Sequence, residues 1–150
     1  MPAPDRVELT LESSLESVDR AEEEALEFAR SAGFDEDDQT KIGMAVRESM
    51  VNAVYHGNQY DPAKKAGLKL ELDSGRLVIT ITDQGPGFDL HNVADPLAVE
   101  NLMKSSGRGI FLIRTFMDEV RVRRLTPAGS EVRMVKNPPD DNVGKNGKEE

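Results

Sequence analysis

The stretch Leu77-Val78-Ile79-Thr80-Ile81-Thr82-Asp83-Gln84-Gly85-Pro86-Gly87-Phe88 changes character within a single residue. Up to Ile81 it is apolar and β-branched, the composition of a strand with a buried face. From Asp83 it becomes a carboxylate followed by two glycines in the pattern Asp-x-Gly-x-Gly. An acidic side chain at a strand end can accept a hydrogen bond from an exocyclic amine. Gly85 and Gly87 let backbone pass close to a flat ligand, because no Cβ stands in the way. Taken alone, the same residues also read as a tight loop of turn formers. The segments on either side decide between the two.

Upstream, Leu68 to Leu72 is a second strand, joined to Leu77–Ile81 by the hairpin turn Asp73-Ser74-Gly75-Arg76. Before it, Ile42, Ala45, Val46, Ser49, Met50, Ala53 and Val54 recur at helical spacing. That helix is opened by the acidic run Asp35-Glu36-Asp37-Asp38, which suits a positive dipole end, and it is expected to finish near His56-Gly57-Asn58. Glu48, Asn52 and His56 lie at i, i+4 and i+8 and share one stripe. A carboxylate and an amide oxygen on one helix face suit a hard cation such as Mg²⁺, and they equally suit a solvated surface. Downstream, Asp83 to Gly109 is rich in glycine, asparagine, aspartate and proline, with one weakly helical patch at Leu97–Met103. A long irregular segment inside a compact domain is usually a lid or a binding loop. It ends in Ser105-Ser106-Gly107-Arg108-Gly109-Ile110, where a glycine pair leads into a helix. Bare N–H groups at such a start suit phosphate oxygens. No Gly-Lys-Ser/Thr occurs, so this is not a P-loop, and no dinucleotide fingerprint is completed.

At the two ends the pattern stays regular. Val7 to Leu11 alternates as a short strand. Ser13 or Ser14 caps a helix carrying Leu15, Val18, Ala21, Ala25, Phe28 and Ala29, which Gly33 terminates. Ile110 to Met117 reads as a helix whose apolar residues Phe111, Leu112, Ile113, Phe116 and Met117 suit a core or a partner surface. Val120–Val122 and Glu131–Val135 form a closing hairpin around Thr126-Pro127-Ala128-Gly129. The order β-α-α-β-β-loop-α-β-β predicts an α+β fold, with helices layered on one face of a mixed, mostly antiparallel sheet. One domain is expected over 1–136, with a polar and disordered tail over 137–150.

Composition narrows the field. The 150 residues carry 37% hydrophobic and 31% charged side chains, as ordinary globular chains do. The absence of cysteine excludes a disulfide framework and thiolate metal sites. Between Glu12 and Asp38, eleven acids face only Arg20 and Arg30, which accounts for the whole net charge of −9. Such a surface repels phosphate backbones, so nucleic acid is not an expected partner. It reads either as a solvated helix face or as a docking face for a basic protein. No apolar run suggests a membrane span, and Met1 to Asp5 lacks the features of a signal peptide, so a cytoplasmic location is expected.

Order and spacing of the three motifs, over residues 7 to 136, resemble the ATP-binding fold shared by gyrases, heat-shock chaperones, histidine kinases and mismatch-repair proteins. Glu48-Ser-Met-Val-Asn52-Ala53 looks like its N box, Asp83-Gln-Gly85-Pro-Gly87 its G1 box and Gly107-Arg-Gly109 its G2 box. Within that superfamily, Asn52-Ala-Val-Tyr-His56-Gly57 and the run from Ser106 to Val120 resemble the anti-sigma-factor serine/threonine kinases of bacterial partner switching. The resemblance implies a two-layer Bergerat-type fold, ATP and Mg²⁺ as cofactors, and phosphoryl transfer to a small anti-anti-sigma protein. It also implies a sequestered sigma factor and a homodimer. Glu48 would be the general base and Asn52 the Mg²⁺ ligand, while Asp83 would bind the adenine amine. Gly85 and Gly87 would lie near base and sugar, and Gly107 and Gly109 at the phosphates. Ser130 would reach the Asp83 network. His56 reads as a helix-end hydrogen bond or a contact near the nucleotide, and Lys104 and Arg108 are candidates for the γ-phosphate. Two alternatives remain open: a nucleotide-sensing partner-switch protein without phosphoryl transfer, and a detached histidine-kinase catalytic domain. The single-domain length counts against a gyrase or chaperone.

Overall fold

The computed structural model describes residues 5–85 and 107–139. Strand β1 spans Arg6–Glu12, followed by helices α1 (Leu15–Ser31) and α2 (Glu36–Val51) and a π-helical turn, Asn52–Gly57. Then come β2 (Lys65–Asp73), β3 (Arg76–Thr82), α3 (Gly107–Phe116), β4 (Glu119–Arg124) and β5 (Ser130–Lys136). The strands form one sheet in the order β1-β2-β3-β5-β4.

Each helix boundary has a local cause. Ser14 is the residue that caps α1, its side chain accepting from the Ser17 N–H, whereas Ser13 is buried and donates to the Lys64 carbonyl at 2.6 Å. At the other end, Phe34 N–H bonds Ala29 O and Gly33 N–H bonds Arg30 O, the pair of bonds that defines a Schellman motif. Asp35 caps α2 by accepting from the Asp38 N–H at 2.8 Å. In the β2–β3 hairpin, Ser74 and Gly75 both have positive φ, the geometry of a type I′ turn that keeps the strands twisted together.

Every pairing among the described strands is antiparallel, which corrects the mixed sheet expected from sequence. Two helices lie between β1 and β2, and an up-and-down helix pair returns the chain reversed, so β2 runs against β1 rather than alongside it. The alternation read in β1 and β2 then fixes which face is buried. Leu9, Leu68, Ile81, Val132 and Val122 form one inward row across all five strands. The helices cover that side. Val18, Ala21, Ala25 and Ala29 of α1 and Ile42, Ala45, Val46 and Met50 of α2 are fully buried. Small residues on α1 let the two helices approach closely, while each buried Ile or Leu contributes about 1.5–3 kcal/mol. Ile113 of α3 and Met117 just after it join the core, Leu112 and Phe116 are half-buried, and Phe111 is exposed. Most of the acids on α1 face solvent, which both the solvated-face and the docking-face readings require. No described helix is long and apolar enough to cross a membrane.

Candidate functional site

Three segments meet beside the end of β3. The first is the exit of α2. From Asn52 the helix widens into a π turn, so that Asn58 N–H bonds Ala53 O at 2.8 Å. Wide turns of this kind inside α-helices recur at functional sites. The second is Asp83-Gln84-Gly85, where β3 leaves the sheet. The third is Gly129-Ser130, where β5 enters it.

Asp83 sits at their meeting point and is only 8% exposed. Its Oδ1 accepts from Gly85 N–H at 3.0 Å and from Ser130 N–H at 3.1 Å. The Asp83 N–H in turn donates to Ser130 O at 3.0 Å. Oδ2 receives no hydrogen bond from the described residues. Burial pushes the Asp83 carboxyl above the usual carboxylate range, against a partial counter-pull from the Gly85 and Ser130 N–H groups and the Lys64 charge. The carboxylate is thus locked by one oxygen and offers the other.

Glycine is what lets the segments come this close. A Cβ on Gly57 would lie 2.5 Å from both Cγ and Oδ2 of Asp83. One on Gly85 would overlap the Gly57 carbonyl, and one on Gly129 would overlap the Asp83 carbonyl. Gly57 is not among the positive-φ residues, so it serves close approach to Asp83 rather than helix termination, the role its position suggests in sequence.

Asn52 and Glu48 lie further up the same helix, roughly 7 and 13 Å along its axis from Gly57. Both are half-buried. The Asn52 Nδ2 is buried with no hydrogen-bond partner among the described residues, as is Ser49 Oγ one turn back. An unmatched buried amide costs about 1–3 kcal/mol, and the placement of its nitrogen and oxygen is interchangeable on shape alone. This is the donor set expected where a ligand completes the site. A buried carboxylate with one free acceptor oxygen fits an amine-bearing base, and a carboxylate with an amide on one helix face fits a hard cation. No group of three or more metal-ligating side chains occurs among the described residues, so a cation held here would keep waters or phosphate oxygens as its other ligands. His56 is half-buried with its ring edge-on to Tyr55, centroids 4.6 Å apart, and burial lowers its pKa.

The structure therefore gathers Asp83, Gly85 and Ser130 around one point beside Gly57, with Glu48, Asn52 and His56 on the helix that leads there. It adds Gly57, Asn58 and Gly129. Gly107, Arg108 and Gly109 form the first turn of α3, as expected for a glycine-opened helix. Gly87, Lys104 and the Leu97–Met103 patch lie outside the described residues. Ser130 reaches Asp83 through its backbone, not its hydroxyl. The sequence signal for Gly57 and Asn58 was the plain run His56-Gly57-Asn58, which reads as a helix stop, and Gly129 stood in the turn Thr126–Gly129.

Comparison with known proteins agrees with this geometry. A family described as "Histidine kinase-like ATPase domain" matches residues 11–136. The chain is similar to serine-protein kinase RsbW of Halalkalibacterium halodurans, 32% identical over 127 residues, covering 80% of this chain and 76% of that protein. It is similar also to an anti-sigma F factor of Clostridium botulinum, 30% identical over 131 residues, covering 82% and 92%. Among solved structures, the RsbU and RsbW domains of a Mycobacterium tuberculosis protein share the fold, with a TM-score of 0.67 at 17% identity over 91% of this chain and 33% of that one. The helix-borne Glu48 and Asn52, the strand-end Asp83 and the matched span leave one assignment: this chain belongs to the histidine kinase-like ATPase domain family.

Proposed function

We propose that the protein is an ATP- and Mg²⁺-dependent serine/threonine protein kinase that acts as an anti-sigma factor, phosphorylating a small anti-anti-sigma partner and holding a sigma factor as a homodimer. The observation that carries the reading is Asp83. Its carboxylate is fixed through Oδ1 and open at Oδ2, at one end of a helix that bears an unmatched amide and a carboxylate. Similarity to proteins named serine-protein kinase and anti-sigma F factor supports the choice of reaction.

Within this reading, Asp83 Oδ2 accepts the adenine amine, which favours adenine over guanine. Gly85 and Gly87 leave room for the base and sugar, and His56 lines the same end of the helix. Asn52 presents its amide oxygen to Mg²⁺. Gly107 and Gly109 offer backbone N–H groups to phosphate oxygens, and Arg108 and Lys104 supply positive charge there. When bound, Mg²⁺-ATP supplies the phosphoryl group. Glu48 then takes the proton from the serine or threonine hydroxyl of the docked partner, a role that needs positioning more than covalent chemistry.

The test is transfer of label from ATP to a small anti-anti-sigma partner. Glu48→Gln is expected to keep nucleotide affinity within about threefold and to lower transfer by roughly 10²–10⁴. Transfer at the wild-type rate would remove Glu48 from the base role. An acid-labile product would place phosphate on histidine and overturn the serine/threonine assignment. Sedimentation of the protein with its sigma factor tests the dimer.

A further inference from the structure

Asn58 is completely buried and is used on both ends. Its Nδ2 donates to Ser13 Oγ at 2.9 Å and to the Lys65 carbonyl at 3.0 Å, and its Oδ1 accepts from the Gln84 N–H at 2.8 Å. Gln84 answers across the same gap: its Oε1 accepts from the Lys65 N–H at 2.7 Å. Both backbone groups of Lys65 are therefore held by side-chain amides, one from the exit of α2 and one from the exit of β3. The two amides and the Lys65 peptide groups close a ring that joins the π turn, the start of β2 and the loop after β3.

Gln84 lies between Asp83 and Gly85. Fixing the Gln84 N–H fixes the chain on which the Gly85 N–H sits, and that group is one of the two donors that orient Asp83 Oδ1. The neighbouring Gly57 backbone also packs close, since a Cβ there would lie 2.5 Å from Asp83 Oδ2 and 3.0 Å from Oδ1. None of these bonds touches the space beside Oδ2. Asn58 contains no ionisable group, and its hydrogen bond to Gln84 links it to the Asp83–Gly85 segment.

We propose that Asn58, with Gln84 as its counterpart, is the positioning residue that sets base selectivity, by holding Asp83 Oδ2 where it meets the exocyclic amine of adenine. The inference rests on the ATP reading above. A loosened Asp83 still presents a carboxylate, but it no longer presents it at one angle. Discrimination for the amine then falls, while contacts to sugar and phosphates remain.

The experiment compares ATP with purine riboside triphosphate, which lacks only the 6-amino group, by calorimetric titration of the full chain. The wild type is expected to favour ATP by about tenfold or more, the size of a hydrogen bond to a charged acceptor. In Asn58→Ala the ratio should fall to within about threefold of unity. Gln84→Ala, whose side chain is exposed, leaves the core untouched and should bring the ratio part of the way down even where Asn58→Ala does not fold. Asn58→Asp keeps an acceptor for Gln84 N–H and should restore part of the selectivity. Equal weakening of both nucleotides, with the ratio intact in the folded variants, overturns the inference, because that is what general destabilisation does. A wild type that binds neither nucleotide overturns the ATP reading itself.

Discussion

Asp83 carries two opposed pH dependences. Its carboxyl titrates above the ordinary value because burial penalises the charged form. In the free protein, the folded state therefore holds a proton that the unfolded chain has already released, over the window just above 3.8. Stability contributed by that proton is present at low pH and lost as pH rises through the raised value. In the proposed site nucleotide binding runs the other way, since the adenine amine would donate to the ionised oxygen. Affinity for ATP should fall as pH drops through the raised value, at a higher pH than an ordinary carboxylate would show. Purine riboside triphosphate should show a flatter profile. Titrating both ligands from neutral to mildly acidic pH checks this, and parallel profiles would detach Asp83 from the amine. His56 has the opposite sign: burial lowers its pKa below 6.5, so its contribution is present at neutral pH and lost as pH falls through the depressed value. At this scale the sequence pointed to the proposed site residues but not to their supports. Asp83, Glu48 and Asn52 are legible through the order and spacing of their motifs, which resemble a known ATP-binding fold, since each alone suits a solvated face or a turn. Asn58 and Gln84 were not, because an amide after a helix-end glycine and an amide in a loop are ordinary turn residues until their partners are known.

At the scale of elements, alternation in β1, β2 and β3 and the 3.6-residue period of α1 and α2 were readable because each has one apolar face. The π turn was not. A single widened turn keeps the same apolar residues, Ala53 and Val54, facing the core, so no periodicity marks it. Its consequence is steric and can be tested through the glycines it delivers. Gly57→Ala places a methyl 2.5 Å from the Asp83 carboxylate, which must turn away. The expected cost is about 1–3 kcal/mol of stability, as for other overpacked sites, with at least a tenfold loss of ATP affinity. Gly129→Ala meets a backbone oxygen that cannot turn away, at a φ of +105°. It should destabilise by about 3 kcal/mol or more, and the loss should appear in chemical unfolding without any nucleotide present. A Gly57→Ala variant with wild-type ATP affinity would show that the π turn and Asp83 are not coupled.

Across the described residues, one buried cation, away from the site, ties the helices to the sheet. Lys136, near the end of β5, points to the helix side of the sheet. Its ammonium stands 3.7 Å from Asp38 in the first turn of α2 and 3.8 Å from Asp118 just after α3, and it donates to the Phe116 carbonyl at 3.3 Å. The side chains of Lys136 and Asp38 are 9% and 8% exposed, so water screens this pair little, whereas Asp118 at 36% is partly solvated. Removing one partner of a fully buried pair costs about 3–5 kcal/mol, and the longer distances and the partial exposure reduce that here to about 2 kcal/mol. Lys136→Met keeps the volume of the stem and removes only the charge. It should lower the melting temperature by about 4–8 °C for a chain of this size. Salt separates this from a surface effect. Arg30 and Glu27 form an exposed pair on α1, and whatever Arg30→Met costs should shrink in high salt as screening replaces the lost partner. The Lys136→Met deficit should persist under the same conditions, because ions do not reach Asp38. Thermal melts of both variants at low and high ionic strength decide the matter. A Lys136→Met protein that melts with the wild type would mean that the sheet and its helices hold together through apolar packing alone.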